Sequence, residues 1–265
     1  MKTIFKAIRL ITLIALITAL ASGCANNEPA AGNGNQPEKS KLIMGLDDTF
    51  APMGFRNEKG ELVGFDIDLA NEVAKRMDVT IEFQPIDWMM KETELNSGNI
   101  DLIWNGYTIT DLRKEKVNFS KAYLENSQII VTLSSSEVNT KADLAGKNIA
   151  VQAESSALDA INTVPDFVSS VNEIVEFSTN NEAFMDVEAG RSDAVVVDEV
   201  LARYYMKQNG QEKYKVLEED FGDEEYAVGI RKSDTDLLNN LNKIFEDMIN
   251  DGTYEAMYTK WFSEN

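Results

Sequence analysis

From Lys41 onward the chain alternates short β-type runs with amphipathic helical runs, and this alternation constrains its fold more than any other feature. Residues 42–46 read as a strand. Phe65, Leu69, Val73 and Met77 recur every four residues, which places them on one helix face. Residues 80–85 (TIEFQP) read as a strand, 88–97 as a helix and 100–104 as a buried strand. Further strands are predicted at 129–133 and 149–151. Helices are predicted at 156–162, 180–189 and 199–208, with a strand at 193–197 between the last two. A strand at 226–231 and helices at 236–250 and 254–262 complete the chain. Strands separated by helices favour an α/β fold with mainly parallel sheets and helices on both faces.

Within this alternation one unit occurs twice. Residues 95–101 (LNSGNID) lead into LIWN, and residues 187–193 (VEAGRSD) lead into AVVVD. In each, a helix stops at a glycine suited to a left-handed cap, an aspartate follows three residues later, and a β run begins. Each run ends on a polar residue, Asn105 in one and Asp198 in the other. Open α/β sheets bind ligands beyond the carboxyl ends of their strands. Two such half-units suggest two lobes facing one cleft.

The segment before Lys41 has a different character. Lys2, Lys6 and Arg9 form a basic start, and residues 10–21 are uncharged and mainly apolar. That run is too short to span a hydrocarbon core of about 30 Å. It fits the hydrophobic region of a secretory signal. Ala21-Ser22-Gly23-Cys24 follows, and small residues before a cysteine resemble the lipobox of bacterial lipoproteins. That resemblance implies cleavage after residue 23 and acylation of Cys24, with palmitate-type chains holding the protein to a membrane. Ala21 stands where leucine is more usual. Residues 25–40 (ANNEPAAGNGNQPEKS) lack apolar periodicity and read as a flexible tether.

The net charge of −20 argues against nucleic acid as a partner, because phosphate binding needs a basic surface. With one cysteine there is no internal disulfide. With no histidine there is no Ser-His-Asp arrangement, and the commonest metal ligand is missing. No metal and no cofactor are expected.

Gly64-Phe65-Asp66-Ile67-Asp68-Leu69, followed by Val73, Ala74 and Met77, resembles the signature of bacterial extracellular solute-binding proteins of family 3, the polar amino-acid group. Residues 45–52 (GLDDTFAP), 86–88 (IDW), 100–113 (IDLIWNGYTITDLR), 143–147 (DLAGK), 193–199 (DAVVVDE), 251–254 (DGTY) and 260–262 (KWF) resemble the other family segments, in family order. The resemblance covers nearly all of residues 41–265. It implies a two-lobed periplasmic-binding-protein-like fold of type II, with the ligand in the interlobe cleft. Lobe 1 is then expected over 41–125 and 224–265, and lobe 2 over 126–223. The implied function is capture of a free amino acid for an ABC transporter's permease subunits, outside the cytoplasm and by a monomer.

The resemblance also implies site residues. Arg113 matches the partner of the ligand's carboxylate, and a guanidinium can bind both oxygens at once. Asp198 matches the partner of the α-ammonium, although an aspartate there could also cap the helix after it. Asn105 and Thr108 match positions that hold the ligand's backbone, with Gly106 between them in the site. Ser155 and Ser156 match a turn that offers N–H groups to the carboxylate, and Ser156 with Asp159 has a capping-box pattern. Glu154 departs from the small residue common before them. Phe50 and Trp88 match aromatics that sandwich the ligand's side chain, and Asp47 matches an acceptor for it. Asp47, the neighbouring Asp48 and the two rings lean toward a cationic or amide-bearing ligand. Trp104 and Tyr107 could shape the pocket or lie in the core.

Two other readings stay open. An enzyme on the same fold, such as a dehydratase or a lytic transglycosylase, would need an acid with a raised pKa, for which Glu154 is the candidate. A ligand-sensing module would need a separate membrane partner. The intact amino-acid clamp favours a binding protein over an enzyme.

Overall fold

The computed structural model describes residues 40–263. The expected signal segment and Cys24 lie outside the described residues. Two sheets dominate. The first has the order Thr80–Pro85, Lys41–Leu46, Leu102–Ile103, Gly229–Ile230, Asn118–Phe119. The second has the order Glu173–Phe177, Asn148–Gln152, Ala194–Asp198, Leu124–Leu133, Tyr214–Val216. In each sheet the first three strands are parallel, and antiparallel pairing begins at the fourth. The sheets are therefore mixed rather than mainly parallel. Parallel neighbours need a crossover helix, whereas a strand entering from elsewhere can pair antiparallel. The fold is two-lobed and of type II.

The repeated unit does the same work in both sheets. Asp101 N–H donates to Ile43 O and Asp101 Oδ2 accepts from Ile43 N–H at 2.8 Å. Asp193 N–H donates to Asn148 O and Asp193 Oδ2 accepts from Asn148 N–H at 3.0 Å. Each aspartate braces the neighbouring parallel strand of its sheet and pairs with a cation, Arg231 for Asp101 and Lys147 for Asp193. The strands are thus held in matching registers, and Asn105 and Asp198 come out at equivalent strand ends.

The helix Phe65–Met77 buries Phe65, Ile67, Leu69, Ala70 and Val73, and Phe65, Leu69 and Val73 share the face that the spacing predicts. These side chains join one core with Trp104, Leu241, Phe245 and Met248, which brings the helix Thr235–Asn250 back onto the first sheet. Full burial of a leucine or valine stabilises by about 1.5–3 kcal/mol. Trp104 belongs to this core, edge-on to Phe245 at 5.6 Å.

Two predicted elements divide. The helix expected at 88–97 is a 3-10 turn, Trp88–Met90, followed by an α-helix, Lys91–Ser97. Asp87 caps the turn at Met89 N–H, and Met90 has φ −98 and ψ 0, which breaks the helical register. The strand expected at 226–231 becomes Asp223–Tyr226 and Gly229–Ile230. The first piece pairs with the start of the Leu124–Leu133 strand, and the second joins the first sheet. The long strand Leu124–Leu133 continues into the second sheet, so these two antiparallel segments connect the lobes. Among the described residues no helix is long and apolar enough to cross a membrane.

Candidate functional site

The wall from the first sheet is built at strand ends. Asp47 follows Lys41–Leu46, and its N–H donates to Asn105 Oδ1 at 3.0 Å. Asn105 is buried, and its Nδ2 has no hydrogen-bond partner among the described residues. Gly106 has φ +56, and a Cβ there would come within 2.8 Å of the Phe50 ring and 3.1 Å of Tyr226. Backbone conformation and space both select glycine. Gly106 N–H donates to Asp66 Oδ2 at 2.8 Å, and Tyr123 Oη donates to the same oxygen at 2.9 Å. Burial pushes the Asp66 carboxyl up to about 7.

Thr110 caps the helix Asp111–Lys116 and thereby orients Arg113 inward. Arg113 is 4% exposed. Its Nη1 donates to Thr108 O at 3.1 Å and its Nη2 to Glu154 O at 3.3 Å. The guanidinium carbon lies 4.7 Å from the centre of the Tyr107 ring. Trp88 meets the same ring edge-on at 6.0 Å. A second cation lies close by. Lys91 Nζ donates to Trp88 O at 3.2 Å and to Glu154 O at 2.9 Å. Desolvation lowers the Lys91 pKa to about 8, and the Arg113 charge pushes it in the same direction.

Across the cleft, Glu154 has φ +53, the left-handed region where glycine is at ease. That conformation aims its carbonyl at both cations, and the residue is exposed. Ser155, not Ser156, is the N-cap of the helix Ser156–Asn162 and accepts from Leu158 N–H. The capping pattern expected of Ser156 and Asp159 is therefore displaced by one residue. Ser156 is free to meet Thr108 Oγ1 at 2.9 Å and to accept from Gln128 Nε2 at 3.1 Å.

Asp198 stands at the N-cap position of the helix Glu199–Asn209, but its side chain does not cap it. Asn126 Oδ1 does so instead, accepting from Val200 N–H at 3.2 Å. Asp198 Oδ1 accepts from Asn126 Nδ2 at 2.9 Å, Gln128 Nε2 at 2.9 Å and Tyr226 Oη at 2.7 Å. Burial, reinforced by the nearby Glu224 charge, raises its pKa well above the ordinary carboxylate range.

Asp47, Phe50, Trp88, Asn105, Gly106, Thr108, Arg113, Ser155, Ser156 and Asp198 are all buried, and Thr108 links Arg113 to Ser156. Its carbonyl takes Arg113 and its hydroxyl reaches Ser156 and Glu224. One end offers the buried cations Arg113 and Lys91, and the other the buried Asp198 with the half-buried Glu224. Asp48, expected beside Asp47, pairs instead with Arg56 at 2.6 Å.

Sequence reasoning missed Asp66, Lys91, Asn126, Gln128, Gln152, Glu224 and Tyr226. A signal existed for two of them. Asn126 and Gln128 are two residues apart on a strand that is otherwise apolar from residue 129 to Val131, so they share a face. Glu224 carried no such mark in an acidic stretch.

The family model of bacterial extracellular solute-binding proteins, family 3, matches residues 42–264. The histidine-binding periplasmic protein of Salmonella typhimurium is 35% identical over 84% of this chain and 87% of its own. A Streptococcus pneumoniae ABC uptake transporter substrate-binding protein, solved with bound histidine, superposes with a TM-score of 0.82 at 41% identity, over 84% of this chain and 93% of that one. The ancestral amino-acid-binding protein AncCDT-1, a precursor of cyclohexadienyl dehydratase, superposes with a TM-score of 0.77 at 35% identity, over 84% and 96%.

Proposed function

Since the chain belongs to the bacterial extracellular solute-binding proteins of family 3, we propose that it is the lipid-anchored, extracytoplasmic receptor of an ABC importer and captures a free polar or cationic amino acid. One observation carries this reading. Arg113 and Asp198 are both buried, belong to one hydrogen-bonded cluster, and neither is ion-paired with a protein side chain among the described residues. Buried charges need partners, and a zwitterion supplies one for each.

The lobes are residues 41–125 with 224–265, and residues 126–223. Arg113 and Asp198 lie on opposite lobes, so a ligand bound to both favours the closed form. Asp47, Phe50 and Trp88 select the ligand's side chain, and the acid among them favours a cationic or amide group. Cys24 carries the lipid, and permease subunits receive the loaded protein.

The test is mass spectrometry of ligand released from the purified protein on denaturation, with calorimetry and a thermal-shift panel of amino acids. Asp198→Ala is expected to fold and to lose most binding. Unchanged affinity in that variant counts against the reading. Cys24→Ser is expected to release the protein from cells into the medium.

The likeness to AncCDT-1 keeps a dehydratase-like reading in view. It is disfavoured by Glu154, an exposed residue and not the desolvated acid such chemistry requires. Turnover of prephenate by the wild type, lost in Glu154→Gln, would restore it.

A further inference from the structure

The ammonium end of the cleft holds one more carboxyl group than an α-ammonium partner requires. Glu224, on the strand Asp223–Tyr226, places its Oε1 on the same donors that serve Asp198. Asn126 Nδ2 donates to Asp198 Oδ1 at 2.9 Å and to Glu224 Oε1 at 2.7 Å. Gln128 Nε2 donates to both at 2.9 Å. Thr108 Oγ1 donates to Glu224 at 2.9 Å, and Tyr226 Oη donates to Asp198 at 2.7 Å. Thr108 has a single hydroxyl hydrogen, so Ser156 supplies the proton of their mutual bond, and the two hydrogens of Gln128 Nε2 are shared among Asp198, Glu224 and the more distant Ser156 oxygen at 3.1 Å.

Every one of these donors is neutral, and no lysine or arginine among the described residues forms an ion pair with either acid. Two carboxylates bridged by the same amides repel each other, and burial strengthens the repulsion. A cation with several N–H groups relieves it. Within the amino-acid reading above, on which this step rests, we propose that Glu224 is a second carboxylate of the α-ammonium site, acting with Asp198 to select ligands that carry a free amine.

Its position gives this role a second consequence. Glu224 accepts one bond from Thr108, on the lobe of Arg113, and one from Gln128, on a strand of the second sheet. It also pairs by backbone register with Asn126, where the chain passes between lobes. Neutralising Glu224 with the ligand's amine therefore secures its contact with Gln128, across the boundary between the lobes. The competing role is a plain brace. Glu224 also borders a cavity of about 790 Å³ lined by Asn126, Glu199 and Arg203, where a solvated acid could simply hold these amides in place.

Glu224→Gln separates the two roles, because glutamine keeps the shape and an acceptor oxygen but removes the charge. Wild type and variant are titrated calorimetrically with the proteinogenic amino acids and L-cystine, and with the deamino counterpart of each that binds. The expected result is a loss of about tenfold or more for the amino acid and a change within about twofold for the deamino acid. Discrimination between the two ligands then shrinks. Glu224→Asp, which retains the charge, is expected to keep more of the discrimination, and it also serves if the glutamine variant does not fold. Unchanged amino-acid affinity in Glu224→Gln, or equal losses for both ligands, overturns the inference alone. A wild type that binds no free amino acid, or binds it no better than its deamino counterpart, overturns the amino-acid reading as well.

Discussion

Gln152 Nε2 donates to Asp47 Oδ2 at 2.9 Å, from the end of the strand Asn148–Gln152 in the second sheet to the end of the strand Lys41–Leu46 in the first. The amide is pinned from behind. Its Nε2 also donates to Ser178 O at 3.0 Å, and its oxygen accepts from Asn180 Nδ2 at 2.8 Å. Asp47 takes two more bonds from Thr49, which work against the rise in its pKa caused by burial. A hydrogen bond to a charged group contributes about 1.5–3 kcal/mol, and this one joins the strand ends of the two sheets. Gln152→Leu is expected to weaken ligand affinity by about tenfold or more. Small-angle scattering of the ligand-free variant should show a larger radius of gyration than the wild type. Equal radii and equal affinity would remove this bond from the closure mechanism.

Arg113 spends two of its five N–H donors on the carbonyls of Thr108 and Glu154. The guanidinium is held over Tyr107, with the remaining donors left for an anion. Arg113→Lys keeps the charge but cannot span two carbonyls and a carboxylate together. The expected loss is about 2–3 kcal/mol of binding, or roughly 30-fold or more in Kd. Thermal melts of the ligand-free variant should shift little by comparison. A lysine variant that binds as well as wild type would show that net charge alone, not the fork, holds the carboxylate.

The sequence pattern placed the strand ends well because the signal is physical and local. Apolar runs end at Asn105 and Asp198, and the same glycine-to-aspartate turn precedes each. It failed where identity depends on partners far along the chain. Glu224 meets Thr108 and Gln128 only through folding, and nothing within its own window distinguishes it from Glu225. The Tyr226–Ile230 run is almost uniformly apolar, and apolarity reports burial, not which sheet a residue joins. The shift of the cap from Ser156 to Ser155 is a matter of one backbone angle pair, finer than residue spacing resolves. Lys91 stands among charged and polar neighbours in the chain (KETELNS), which gives no sign of burial, yet it is buried where Glu154 turns its carbonyl inward.

Asp66 ties the floor of the cleft to pH. Its carboxyl is raised from 3.8 to about 7 by complete burial, so the folded state holds a proton that the unfolded chain releases near pH 4. The native state therefore binds more protons between these values, and stability falls as pH rises from about 4 to about 7. A rise of that size corresponds to at most about 4 kcal/mol. Asp66→Asn keeps an oxygen to accept from Gly106 and Tyr123 and cannot ionise. Melting temperatures across this range should show the wild type losing ground to the variant with rising pH, then running parallel above about pH 7. A constant difference from pH 4 to pH 8 would mean that Asp66 titrates normally.

Lys91 makes the opposite prediction, on ligand binding. Its folded pKa is lowered from 10.5 to about 8 by burial and by the Arg113 charge, so near pH 8 it is only partly protonated. Lys116 adds further positive charge, while Glu92 and Glu154 oppose it, with the Glu92 carboxylate 3.7 Å away. Lys91 and Arg113 share Glu154 O as an acceptor, so a carboxylate bound by Arg113 lies within reach of the Lys91 charge. A new anion favours the charged amine and raises its pKa. Binding at pH 8 to 9 is therefore expected to draw in a fraction of a proton at Lys91. Calorimetry in buffers of different ionisation enthalpy measures that uptake. Lys91→Met should reduce it, and affinity in the wild type should fall as pH rises through about 8 more steeply than in the variant. If uptake and pH slope are the same in both proteins, the ligand's carboxylate lies too far from Lys91 for the two charges to interact, and the anion site must be drawn around Arg113 alone.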